Sequence, residues 1–254
     1  GFRNGSPLFG RQAFVTLSGG FGTLAVGRVY TPQYNLLLSV DPFEFGLVGK
    51  MNNLYETDDR VDNTVAYISP SFSGLTVTAA YVNNLSGAET AGNDNDVRVF
   101  ALSPVYKNGP ILLGLNYHKI DPQAAGRPSQ DVWDLAGSYD FGVAKVAAAY
   151  GYREVNATDE RNSWMLGVTV PVSGAGRVLA SYNYTKLDVS GTSVDPKATQ
   201  WAIGYVHDLS KRTNLYVAYA DISNKKGETK SVGDSSNGGA GYQKGFNIGI
   251  RHKF

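Results

Sequence analysis

The chain of 254 residues has no cysteine, two methionines and three histidines. Without cysteine there can be no disulfide framework and no thiolate metal site. His118, His207 and His252 have no zinc-like spacing with another ligand. No G-x-S-x-G nucleophile elbow occurs. No catalytic residue, metal site or cofactor is therefore expected. An excess of one charge is also lacking: 23 Lys and Arg face 22 Asp and Glu, for a net charge of +1, which gives nucleic-acid binding no electrostatic basis. Nor does any stretch approach the ~18 apolar residues of a membrane-spanning helix.

What the chain does have is glycine and aromatics, with 30 Gly, 16 Tyr and 11 Phe, a composition of strands and turns. Apolar side chains recur with period two in segments of about ten residues. In 133–141, Trp133, Leu135, Tyr139 and Phe141 alternate with Asp134, Ala136, Ser138 and Asp140. Along 177–185, Val178, Ala180, Tyr182 and Tyr184 oppose Arg177, Ser181, Asn183 and Thr185. The low mean hydropathy of −0.22 does not argue against a membrane, because only every second residue of a barrel strand meets lipid.

The pattern predicts strands near 11–18, 23–28, 61–69, 75–83, 96–106, 111–120, 131–141, 143–153, 163–172, 177–186, 198–209, 213–222 and 243–254. Short turns alternate with long polar loops at 29–60, 84–96, 121–130, 154–162, 187–198 and 223–242. Strict short–long alternation, with tyrosines and tryptophans at the ends of the apolar faces, describes an all-β fold: a transmembrane antiparallel up-and-down β-barrel with a polar interior. A soluble sandwich also alternates, but its exposed face carries many charges. Here the second face is rich in Gly, Ala, Ser, Thr and Asn, as suits a water-filled lumen. Thirteen strands is an odd number for a bacterial barrel, and the chain opens on Gly1-Phe2-Arg3 without Met. The reading therefore expects a missing N-terminal part.

Several segments resemble one family. Leu8-Phe9-Gly10-Arg11-Gln12-Ala13-Phe14-Val15, Leu17-Ser18-Gly19-Gly20-Phe21-Gly22-Thr23, Asp41-Pro42-Phe43, Arg60-Val61-Asp62-Asn63-Thr64 and the ending Gly249-Ile250-Arg251-His252-Lys253-Phe254 are similar to the Gram-negative general porins of the β-proteobacterial branch. The resemblance implies a sixteen-stranded barrel, of which residues 1–254 would form one domain lacking the first three strands, roughly 80 residues. It further implies a homotrimer in the outer membrane, in contact with lipid and lipopolysaccharide, passing ions and small hydrophilic solutes by diffusion. An acidic outer loop with Asn93, Asp94 and Asp96 suits lipopolysaccharide bridged by divalent ions.

In that family the third outer loop folds into the lumen, and here it maps to 29–60. Its acidic residues Asp41, Glu44, Asp58 and Asp59 are the candidate charges of the constriction, and its aromatics Tyr34, Phe43 and Phe45 could pack it against the wall. Arg28, Arg60, Lys145, Arg153 and Arg177 are the candidate basic wall; strand parity turns the last three inward. Opposed charges of this kind set a transverse field that sorts ions, and the balance leads to a mild anion preference. The C-terminal Phe254 resembles the family's outer-membrane assembly signal.

Overall fold

In the computed structural model, which describes residues 10–85, 96–124, 126–233 and 241–253, thirteen strands form one sheet in sequence order, each antiparallel to the next. They are β1 (Ala13–Gly19), β2 (Gly22–Tyr30), β3 (Arg60–Ile68), β4 (Leu75–Val82), β5 (Val97–Asn108), β6 (Ile111–Pro122), β7 (Gln130–Asp140), β8 (Lys145–Glu154), β9 (Glu160–Pro171), β10 (Gly176–Asp188), β11 (Lys197–Asp208), β12 (Thr213–Lys225) and β13 (Lys244–His252). The predicted strands match one for one, with ends shifted by a few residues. Phe254, Asn93 and Asp94 lie outside the described residues. No helix among the described residues is long and apolar enough to cross a membrane; the crossing elements are strands.

Two faces follow from the period of two. On one, Leu102, Leu113, Leu135, Tyr150, Leu166, Trp201, Ile203 and Ile248 are exposed. The other carries alanines, glycines and polar groups such as Ser103, Asn116, Asp134, Ser181, Asn183 and Gln200, all buried. An exposed apolar band of this extent belongs against hydrocarbon. Ring pairs border it at both ends. Near the long loops Tyr117 meets Trp133 at 4.2 Å, Trp164 meets Tyr184 at 5.6 Å and Trp201 meets Tyr219 at 5.3 Å. Beside the short turns Tyr139 meets Phe141 at 4.5 Å. Amphipathic rings favour the two lipid–water interfaces.

One irregularity matters for the lumen. Gly27 pairs with Thr64 but Val29 pairs with Val61, so Asp62 and Asn63 stand opposite Arg28 alone. Asn63 takes φ 50°, a conformation that Asn tolerates. This β-bulge turns Arg28 towards Asp62, whose Oδ1 accepts from its NH1 at 2.8 Å, and re-aims the strand end as bulges do.

The long segment between β2 and β3 has secondary structure that periodicity did not predict. Helix α1 (Pro32–Val40) begins at Thr31, whose side chain accepts from Tyr34 N, and a 3-10 turn spans Met51–Asn53. Thr31 N donates to Asp59 O at 3.1 Å, closing the neck of the loop.

Candidate functional site: a loop seated across a charged lumen

The inward glycines of the wall act as sockets for this loop. A methyl group on Gly114 would lie 2.3 Å from a Leu36 carbon, on Gly151 2.1 Å from the Tyr55 hydroxyl, and on Gly167 2.5 Å from Pro42. On Gly204 it would meet the Phe43 ring at 3.0 Å. Only a residue without Cβ allows such approach. Leu36, Leu37, Val40, Met51 and Tyr55 pack against Ala136, Ala147, Ala149 and Met165. Further round, Phe43, Leu47 and Leu54 pack against Leu179, Ala202, Ala218 and Ile222. Much of the small-residue inner face that reads as a water lining is, on β6–β13, a dry seat for the loop.

Polar anchors complete the seat. Buried Asp134 on β7 accepts from Gln33 Nε2 at 3.0 Å, Tyr55 Oη at 2.8 Å and Asn116 Nδ2 at 2.8 Å. Gln200 on β11 accepts from Asn53 Nδ2 at 2.7 Å and donates to the Gly49 carbonyl at 3.0 Å. Buried polar groups satisfied in this way fix a unique position. The loop after β12 also turns inward: Gly233 N donates to Asn53 Oδ1 at 3.1 Å, and Val232 joins the Phe43 cluster. Between the two loops lies Arg161, 3.1 Å from Glu56 and 2.7 Å from Glu228, with Lys230 2.9 Å from Glu56. Burial pushes both carboxyls up, but Lys230 and Arg161 around Glu56, and Arg161 beside Glu228, more than offset it and hold both low.

The predicted acidic residues separate into different roles. Asp41 is turned into the loop, 4% exposed, and accepts from the backbone N–H groups of Phe43, Phe45 and Met51 at 3.1, 3.0 and 3.2 Å. It staples the bend rather than presenting a free charge to solute, and burial raises its carboxyl to about 6. Glu44 is half exposed and accepts from Arg251 NH1 at 2.8 Å. Asp58 pairs with Arg153 and lies 3.2 Å from His118 Nε2; burial pushes its carboxyl up, yet the His118 hydrogen bond and the Arg153 charge hold it at about 2. Asp59 accepts from Thr57 Oγ1 at 2.7 Å. Among the basic candidates, Arg177 pairs with Asp208 at 2.6 Å, Lys145 Nζ reaches Ser39 O at 3.5 Å, and Arg60 lies 4.9 Å over the Tyr30 ring. Sequence reasoning missed Arg11, whose Nε donates to Tyr30 Oη at 3.1 Å, and Arg161, whose role depends on two loops meeting.

Among the hollows of the inner face, three adjoin one another along the loop. The outer one, about 630 Å³, has Arg28, Arg60 and Arg153 beside Glu56, Asp58 and Asp59. A middle one of about 270 Å³ shares Asp58, Val61 and Leu85 with it. The inner one, about 730 Å³, shares Tyr30 and Asn35 with the middle one and is lined by Arg11, Lys145, Arg177, Arg251 and Lys253 against Glu44 and Asp41.

The comparisons with known proteins agree with this architecture. The chain is 32% identical to outer membrane porin protein 32 of Delftia acidovorans over 266 positions, covering 97% of this chain and 74% of that protein. It is 30% identical to an outer membrane porin of Bordetella pertussis, over 97% of this chain and 72% of the relative. Among solved structures, the anion-selective porin from Comamonas acidovorans superimposes with a TM-score of 0.79 at 31% identity, covering 96% of this chain and 78% of the other. The trimer form of OmpT from Vibrio cholerae, at 16% identity and a TM-score of 0.69 over 94% and 79% of the two chains, shares the fold. With thirteen membrane-type strands around a charged lumen, and the Gram-negative porin family model matching residues 1–227, the chain belongs to the Gram-negative porins, the outer-membrane β-barrels that pass solutes without catalysing a reaction.

Proposed function

We propose that the conduction path runs through the three contiguous hollows, that the segment 29–60 forms its constriction, and that passage favours small anions. The observation that carries the reading is the charge of the inner hollow, where Arg11, Lys145, Arg177, Arg251 and Lys253 outnumber the accessible carboxylates beside them, Glu44 paired with Arg251 and Asp208 paired with Arg177. Rings of one charge set ion preference in a pore, and low-dielectric walls focus the field. Glu44, Asp58 and Asp59 supply the opposing charge on the loop, with Arg28, Arg60 and Arg153 across the outer hollow. The anion selectivity named for the Comamonas acidovorans porin supports the same preference. The protein is further proposed to work as a homotrimer, an assembly described for OmpT. The test is reversal potential in a KCl gradient across a planar bilayer. A potential of the sign set by potassium would sink the anion reading, and a monomer by light scattering in detergent would sink the trimer.

A further inference from the structure

The middle hollow is unlike its neighbours. Its floor is the inner face of β2–β6, where Ala25, Ala66, Ala80 and Ala101 form one apolar cluster and Val61, Val82, Val99 and Ile120 a second. Phe14 of β1 also lines it, facing inward because it shares its side of the strand with Thr16, the register partner of Ala25. A lumen that passed only hydrated ions would have no use for a wall of hydrocarbon, since water beside it gains no hydrogen bonds. At the end of β2, bordering this wall, stands Tyr30, with two guanidinium groups at its ring: Arg60, which lines the outer hollow, and Arg11, which lines the inner. Arg60 lies over the ring and its NH2 donates to the hydroxyl at 3.5 Å, where Arg11 Nε also donates at 3.1 Å. Among the described residues neither arginine has a carboxylate partner within ion-pair distance, whereas Arg28, Arg153, Arg161, Arg177 and Arg251 each have one.

We infer that this passage selects amphipathic monocarboxylates, anions with one carboxylate and a small aromatic or aliphatic body. The carboxylate moves from Arg60 to Arg11 past Tyr30, and the hydrocarbon travels along the alanine and valine wall. Neither feature suffices alone. An apolar wall without the two guanidinium groups at Tyr30 would favour neutral solutes, and the arginines without the wall would not distinguish one monoanion from another. A guanidinium fork suits a carboxylate, and a ring laid on methyl groups gains by excluding water.

The inference rests on the channel reading above, so the test separates the two. Full-length protein is reconstituted in planar bilayers, and the permeabilities of benzoate and of shikimate, a hydroxylated ring of similar size and the same charge, are measured relative to chloride. The expected wild-type ratio of benzoate to shikimate is about five, which corresponds to ~1 kcal/mol of apolar contact. The variant A80S/A101S places hydroxyls at a paired position of β4 and β5 and brings the ratio towards one, both permeabilities being taken relative to chloride in the same variant. A66S, on β3, provides the same readout independently. A wild-type ratio near one, or a ratio that neither variant changes, overturns the inference with the channel intact. Loss of chloride current in the wild type would overturn the channel reading itself.

Discussion

The sockets of the wall can be tested with a single methyl group, and Gly151→Ala is the most informative case. Gly151 lies mid-strand in β8, opposite Asp134 on one side and Ser163 on the other, so alanine leaves the ladder hydrogen bonds in place. Its Cβ would stand 2.1 Å from Tyr55 Oη and 2.5 Å from Cζ, and the ring must leave. Tyr55 is 3% exposed and donates to Asp134 at 2.8 Å. Overpacking of this kind costs ~1–3 kcal/mol, and losing a hydrogen bond to a charged acceptor costs ~1.5–3 kcal/mol. A combined penalty near ~3 kcal/mol shifts the seated loop towards an unseated form by roughly 150-fold. Gly174→Ala is the control, because nothing lies within 4 Å of its added carbon. In single-channel recordings Gly151→Ala should show greater open-channel noise and a broadened conductance distribution, with barrel unfolding by circular dichroism close to wild type. If its recordings match those of Gly174→Ala, the socket argument is refuted.

Three other perturbations probe different parts of the site. Arg161→Gln leaves Glu56 and Glu228 without their shared cation, and breaking a buried pair costs ~3–5 kcal/mol; trypsin should then cut faster after Lys225, Lys226 or Lys230, and unchanged cleavage would show that the two loops are held otherwise. Asp58 is held at about 2 in the folded protein, below its unfolded value of about 4, so its stabilisation is present above about pH 4 and is lost as pH falls towards 2. Asp58→Asn should flatten the acid dependence of channel noise in that window, and an acid profile identical to wild type would disconnect the ion pair from loop seating. Glu44→Gln frees Arg251 and should move the reversal potential further towards anions, whereas an unmoved potential removes Glu44 from the conduction path.

How much of this was legible in the sequence depends on range. Strand identity, face parity and short–long loop alternation are local, and Trp133, Leu135, Asp134 and Ala136 could be sorted into faces by counting alone. Helix α1 has a helix-start signal at Thr31-Pro32, but its nine residues are too short for a clear 3.6-residue period to stand out from the loop around it. Asp41 was grouped with the pore charges because its position in the loop gave no sign that three backbone N–H groups would converge on it. The inward glycines and alanines suggested space for water, and nothing local distinguishes space for water from space for a loop.

The amino-acid order alone determined that the chain is a lipid-facing barrel wall, because a period of two forces alternate side chains onto opposite faces whatever they later touch. Only the tertiary structure decided which inner residues meet water. That depends on a segment of about thirty residues folding back on strands more than a hundred positions away, as Asn53 does on Gln200. Partners at such separation come together only once the strands between them have paired into one sheet, and no local pattern records them.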